Sequence, residues 1–306
     1  MPRNKPSLTA RKVASDFLFV VEDPEVAKLA PAGSVAATYE VLEAAGMLKP
    51  WMVSLIKAPW YQRFGRAIEK PILHGQMLHL ALRKRWLDDE VREAIAAGAT
   101  QVLVVGGGFD TLCMRLAAEF PGVTFLELDH PPTHRVKSKA VEELGAARPN
   151  LHLEGVDLSE RSLADHLRQT PIWSCDARSV VVAEGVLMYL DEQDVLAFFS
   201  AVRSSTATGS RVLVTYIHQG GISRDSLGWL GGALTFFLKL AGEPFKWGVG
   251  QDGIDSFLAA QGLRIFEAAD RFDLKARYVE PAGHEDWTVA RLERVVAAEI
   301  ADSGSA

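Results

Sequence analysis

Three acids stand where short strand-like runs stop: Asp129 after Phe125-Leu126-Glu127-Leu128, Asp157 after Leu151-His152-Leu153-Glu154-Gly155-Val156, and Glu184 after Val180-Val181-Val182-Ala183. A further run, Gln101-Val102-Leu103-Val104-Val105, stops at Gly106-Gly107-Gly108 and gives way to the helix-compatible stretch Leu112–Glu119. A buried parallel strand that turns tightly into a helix has this pattern, and it leaves backbone exposed at its carboxyl end. In open α/β sheets that crevice is where ligands sit. The three acids and the glycine turn therefore describe one binding site. Asp129, about twenty residues after the glycines, is placed to accept both hydroxyls of an adenosine ribose. Asp157 is placed to accept from an adenine amino group, with Leu158 packing on the ring. Each also has a plainer reading as the cap of the helix that follows it. Glu184, followed by glycine and an apolar turn, is hard to explain as core filler.

The cofactor follows by elimination. A dinucleotide site wants G-x-G-x-x-G; Gly106 and Gly108 fit, but the third position is Thr111. A P-loop is excluded because no lysine follows the glycines at the required distance. Three acids around one crevice repel a pyrophosphate but welcome an adenosine that carries an ammonium and a sulfonium. That description fits S-adenosylmethionine, whose single carboxylate needs one arginine or a helix N-terminus. A metal-dependent site is not expected, since Asp129, His130 and His134 lack a third-ligand pattern.

The elements that must position these residues alternate as strand and helix from Gln101 onward, which implies a parallel sheet covered on both faces. Strands are predicted at Gln101–Val105, Val123–Leu128, Leu151–Val156, Ser179–Ala183, Arg211–Tyr216 and Leu263–Ala268. Helices are predicted at Thr111–Phe120, Pro132–Leu144, Ser159–Gln169, Gln193–Ser204 and Ile254–Gln261. Residues before Gln101 read as helical throughout, with a helix from Ser34 closed by Gly46 and a long or broken one over Ile72–Ala97. Periodicity does not separate strand from helix over Trp287–Ala301. The expected organisation is a helical prefix or cap over 1–99 and an α/β core over 100–306. An insertion over about 218–250 rich in glycine and aromatics (Trp229, Phe236, Phe237, Phe245, Trp247) reads as a lid or an interface.

The 306 residues are 48% hydrophobic and 24% charged, ample for one large α/β domain, and the net charge of −6 gives no support for nucleic-acid binding. The run Arg83-Lys84-Arg85 reads as a solvated helix face. Two cysteines, Cys113 and Cys175, make no disulfide framework, so a reducing cytoplasm is expected. The longest apolar stretch, Leu227–Leu238, is too short to span a bilayer, and no membrane partner is expected.

The strings Gln101–Thr111, Phe125–Pro131 and Ala183-Glu184-Gly185-Val186-Leu187-Met188-Tyr189-Leu190 resemble the leucine carboxyl methyltransferase family. The likeness is closest to its bacterial branch of tetracenomycin-type polyketide O-methyltransferases, and it runs from about Leu80 to Gly262 with Gly242-Glu243-Pro244-Phe245. The resemblance implies a class I S-adenosylmethionine-dependent methyltransferase: a Rossmann-like, doubly wound, seven-stranded sheet, mostly parallel with the last strand antiparallel. It implies that an arginine before the first strand contacts the methionine carboxylate. Arg83 is the best match and Arg85 the next. It assigns the glycine turn to Gly106, Gly107 and Gly108, the ribose acid to Asp129, the adenine contacts to Asp157 and Leu158, and the late acid to Glu184. General class I enzymes carry an acid two residues before the first glycine; here that residue is Val104, as is usual in this family.

Methyl transfer from a sulfonium mainly requires alignment and exclusion of water. A carboxylate acceptor is already ionised and needs no base. A phenol or enol needs one, for which His218 and His74 are candidates. Tyr189 is a candidate to orient the small-molecule acceptor, with a core tyrosine as the plainer reading. Two other functions remain open: a dinucleotide-dependent oxidoreductase and a non-catalytic S-adenosylmethionine-binding protein.

Overall fold

The computed structural model describes residues 6–68, 75–218, 245–250 and 253–301. Six helices precede the sheet: α1 (Leu8–Val20), α2 (Pro24–Leu29), α3 (Ser34–Ala44), α4 (Pro50–Ile56), α5 (Pro59–Ile68) and α6 (Gln76–Ala96). Then come β1 (Gln101–Val105), α7 (Leu112–Glu119), β2 (Thr124–Asp129), α8 (Pro131–Glu143), β3 (Leu151–Gly155), α9 (Leu163–Gln169) and β4 (Ser179–Ala183). The chain continues through α10 (Glu192–Ser204), β5 (Arg211–Ile217), α11 (Gly253–Ala260), β6 (Leu263–Ala269), a short α12 (Arg271–Leu274) and β7 (Glu293–Ile300).

The strands form one sheet of seven in the order β3-β2-β1-β4-β5-β7-β6. The first five pair in parallel, and β7 runs antiparallel to both of its neighbours. This is the Rossmann-like, class I methyltransferase topology that the sequence predicts. Burial explains why unbroken apolar runs mark the centre: every residue of β1 and β4 is buried, whereas the edge strand β6 alternates. Successive residues feed opposite faces. Val102, Val104, Val180 and Val182 pack with the N-terminal helices, while Leu103, Val105, Val181 and Ala183 pack with α9, α10 and α11. α1 and α2 lie on α6, and α3 lies on α7 and α8, so the helical prefix closes one face of the sheet.

Several boundaries differ from the sequence reading, each for a local reason. α9 begins at Leu163 rather than Ser159, because Ser162 caps it, accepting from the Asp165 N–H at 3.1 Å. Asp157 instead closes a turn, accepting from the Ser159 N–H at 3.0 Å and from its hydroxyl at 2.6 Å. Nor does Asp129 cap α8, whose N-cap is His130 with no side-chain cap bond. The ambiguous tail resolves as irregular chain followed by β7 from Glu293. The long helix holds together from Gln76 to Ala96, and residues 69–74, including His74, lie outside the described residues. So do 219–244, most of the expected lid. Its two ends meet, the Val249 N–H donating to the Ile217 carbonyl at 3.0 Å and the Lys246 N–H to that of Met188 at 2.8 Å. Among the described residues, no helix is long and apolar enough to cross a membrane.

Trp86 on α6 is fully buried, with its indole N–H 3.3 Å from Glu267 Oε1. Trp86→Ala leaves a large cavity under the sheet and is expected to cost about 3–5 kcal/mol. Urea unfolding with an unchanged m-value measures it; a loss below about 1 kcal/mol would contradict this packing.

Candidate active site

β1 and β4 are neighbours from which the connections run in opposite directions, so the crevice outside their carboxyl ends is the sheet's topological switch point. The glycine turn floors it. Gly106 and Gly108 take left-handed backbone, with φ +71° and +54°. Gly107 is glycine for a different reason: a Cβ there would lie 2.5 Å from the carboxyl carbon of Glu127.

Asp129, the last residue of β2, faces this turn. One carboxylate oxygen accepts from the Gly108 N–H at 2.5 Å and the other from the His130 N–H at 2.6 Å. Burial raises its pKa although both backbone donors oppose the shift. His130 continues the rim, with Nε2 3.7 Å from Asp157 Oδ2, and Leu158 beside it is 39% exposed.

Glu184, just past β4, receives two cations from one helix. Arg83 Nη2 lies 2.7 Å and Lys84 Nζ 3.1 Å from its Oε1. Arg83 also pairs with Glu293 at the start of β7, and Lys84 Nζ lies 2.5 Å from Asp110 Oδ2, just after the glycines. Burial would lower the Lys84 pKa, but Asp110 and Glu184 outweigh it and hold the ammonium firmly charged. Burial would likewise raise Asp110, yet Lys84 keeps its carboxyl well below the usual range. Arg83 and Lys84 bring two positive charges; Asp110, Glu184 and Glu293 bring three negative ones.

The structure thus brings together Arg83, Gly106, Gly107, Gly108, Asp129, Asp157, Leu158 and Glu184 along one line of strand ends. The solvated reading of Arg83-Lys84-Arg85 is corrected: Arg83 is only 7% exposed, and its neighbour Lys84 faces the same crevice. Only Arg85 turns away, bonded to Asp89 at 3.0 Å. Tyr189 stands farther out on a single helical turn (Leu187–Tyr189), its ring 5.6 Å from Phe245. His218 sits at the end of β5 with Nδ1 3.4 Å from the Val249 carbonyl.

Four residues escaped the sequence reading: Lys84, Asp110, Glu293 and Glu127. Lys84 and Asp110 had a signal, a second cation beside Arg83 and an acid inside the turn. Glu127 had none without register. β1 pairs with β2 so that Val104 stands opposite Glu127, and the carboxyl absent from β1 reaches the underside of the glycine turn from β2. It is buried and paired with Lys137.

The donor set fits S-adenosylmethionine: an acid for the ribose, an acid for an ammonium, and buried cations for a carboxylate. The space is tight. At its Glu184 end, the gap between α1, Lys84, Asp110, Arg115 and Glu184 holds about 10 Å³, room for one water. A Cβ on Gly108 would meet Ala10 of α1 at 2.9 Å. α1 thus packs directly against the glycine turn.

A model of the leucine carboxyl methyltransferase family matches residues 20–203. The chain belongs to this family. A relative from Mycolicibacterium paratuberculosis, named "Putative S-adenosyl-L-methionine-dependent methyltransferase", is 34% identical over 146 residues, 47% of this chain and 45% of that protein. One of the same description from Streptomyces coelicolor is 28% identical over 177 residues, 55% of this chain and 59% of that protein. The chain spans about half the length of the curated relatives it matches. Among solved structures, a DUF574 family protein from Streptomyces avermitilis shares the fold with a TM-score of 0.56 at 15% identity, covering 85% of this chain and 95% of that one. An S-adenosylmethionine-dependent methyltransferase from Mesorhizobium loti does so with a TM-score of 0.51 at 16% identity, covering 72% and 98%.

Glu127 in this family member offers a test of the turn's underpinning. Burial outweighs Lys137 and lifts its pKa from 4.5 to about 7. A carboxyl whose folded value is raised contributes stability that is complete below about 4.5 and lost as the pH climbs through about 7. The wild-type advantage over Glu127→Gln should therefore shrink between pH 5 and pH 8, by roughly 1–3 kcal/mol. Chemical denaturation across that range measures it, and a constant difference would mean that Glu127 stays ionised throughout.

Proposed function

We propose that this chain is an S-adenosylmethionine-dependent methyltransferase that acts on an oxygen of a small, apolar acceptor. The observation that carries the reading is Glu184, held at the end of β4 by Arg83 and Lys84 beside a glycine turn that ends against Asp129. Bound there, S-adenosylmethionine supplies an electrophilic methyl group on sulfur. Asp129 is assigned to the ribose hydroxyls, Asp157 and Leu158 to the adenine, and the glycine backbone to close approach. Glu184 is assigned to the ammonium and Arg83 to the carboxylate, with Lys84 holding Glu184 and Asp110 in place. The single excess negative charge among these ion pairs, with Asp129 added, suits a ligand of net positive charge. It disfavours a pyrophosphate, and with it the dinucleotide alternative.

The acceptor's apolar body is assigned to a second cavity, from which its oxygen has to reach past α1 to the methyl group for in-line transfer. A cavity of about 300 Å³ is lined by Phe19, Val20, Val26, Met77, Leu78 and Trp287, with Asp23 and Asp286 at its wall. α1 separates it from the crevice: Phe17 faces the cofactor side, while Phe19 and Val20 face the cavity. Its volume suits a small aromatic or aliphatic molecule. The two carboxylates weigh against a carboxylate acceptor and favour a hydroxyl. Transfer to a hydroxyl forms the O–C bond, breaks the S–C bond and releases the hydroxyl proton, so a base or solvent must take it. Tyr189, outside the lining of that cavity and five residues past Glu184, is assigned to orient the acceptor's reacting end. Residues 1–99 are read as the cap over the cavity and 100–306 as the catalytic core.

Titration calorimetry with S-adenosylhomocysteine tests the cofactor half. Asp129→Ala and Arg83→Ala should each weaken binding at least tenfold, about 1.4 kcal/mol, while Arg85→Ala leaves it unchanged. Firm NAD(H) binding without S-adenosylhomocysteine binding would reject the reading. Transfer of tritiated methyl tests the acceptor half: 2-naphthol should outpace 2-naphthoate by about tenfold or more. Cofactor binding with no transfer to any acceptor in a broad panel would make the chain a non-catalytic binder.

A further inference from the structure

A different surface carries a charge pattern that neither the crevice nor the cavity uses. From Ala44 to Ile68 the chain has no acidic residue, yet it carries Lys49, Lys57, Arg63 and Arg66, in a protein whose net charge is −6. This stretch forms α4 and α5, and three of the largest exposed apolar side chains stand on it: Trp51 (63% exposed), Trp60 (64%) and Phe64 (60%).

The packing of α5 fixes which way these rings point. Its inner side is tied down: Gln62 donates to the carbonyls of Phe19 (3.2 Å) and Ile56 (2.7 Å), and Tyr61 meets the Phe19 ring edge-on at 5.4 Å. Gly65 presses directly on the Phe19 ring, leaving no room for a side chain there. α5 therefore cannot roll to bury its other face, where Trp60, Arg63, Phe64 and Ala67 follow one another at helical spacing, all exposed. On α4 the outward positions are Pro50, Trp51 and Ser54, followed by the exposed C-cap Lys57, whose ammonium lies 4.9 Å from the Tyr39 ring centre. Single exposed apolar residues are ordinary, but three large ones on successive helices mark a surface that meets something other than water.

The interleaved cations identify the partner. Lysine is depleted at the centres of protein–protein interfaces, whereas Trp and Phe flanked by Lys and Arg are the pattern of helices lying in the headgroup layer of an anionic bilayer. We propose that the α4–α5 face seats this protein on an anionic membrane surface, the aromatic rings entering the headgroup boundary and Lys57 and Arg63 facing lipid phosphates. The expectation of no membrane partner rested on the lack of a spanning segment, and surface attachment needs none.

Co-sedimentation of the full chain with vesicles, without cofactor, tests this. The protein should pellet with phosphatidylcholine vesicles containing phosphatidylglycerol, not with phosphatidylcholine alone, and less so at high salt. Lys57→Glu with Arg63→Glu should weaken binding at least about thirtyfold, and Trp60→Ser with Phe64→Ser at least about tenfold. Unchanged thermal melting of both variants would show that the fold is intact. Failure of the wild type to bind the anionic vesicles would overturn the proposal, as would variants that bind as well as it does. A wild-type dimer in size-exclusion chromatography that Trp60→Ser with Phe64→Ser abolishes, without vesicle binding, would assign the face to a second copy and overturn it too.

Discussion

Two adjacent cations on one buried helix organise the working end of this protein. Arg83 and Lys84 sit on α6, a helix otherwise packed by Leu80, Leu82, Trp86 and Leu87. Taking charges out of water is costly, and only close, well-bonded partners offset it. The partners come from three different places in the chain: Asp110 after β1, Glu184 after β4 and Glu293 at the start of β7. The same contacts that make the burial tolerable therefore fix three strand ends relative to one another. Removing Asp110 or Glu293 would leave Lys84 or Arg83 with Glu184 as its remaining partner in a dry setting. Such a network adds less to net stability than to the precision with which the crevice is shaped.

Much of this is legible in the amino-acid sequence. The central strands could be read because both of their faces are covered, which forces unbroken apolar runs such as Val102–Val105 and Val180–Ala183. The placement of Asp129, Asp157 and Glu184 followed from the rule that acids at successive strand ends converge. What could not be read depended on register or on direction around a helix. Glu127 looks like an ordinary strand residue until its pairing with Val104 places it under Gly107. Lys84 looks like a surface residue because a charge on a helix is most often solvated, and nothing in spacing alone says that α6 is buried nearly all round. The tail after Trp287 was ambiguous because β7 lies between two antiparallel neighbours and reads as apolar in any register.

α5 joins the two readings of the N-terminal helices. Its inner side supplies Gln62 to the wall of the apolar cavity, while its outer side presents Trp60 and Phe64 to the surroundings. One short helix thus stands between that cavity and an exposed aromatic face.

The position of α1 has an energetic consequence of its own. Because Ala10 rests against the glycine turn and Phe17 lines the gap beside Glu184, a ligand larger than that gap competes with this helix for volume. For such a ligand the apparent dissociation constant is the intrinsic one divided by the fraction of molecules whose first helix is already displaced. The ordering of α1 would then be a readout of occupancy.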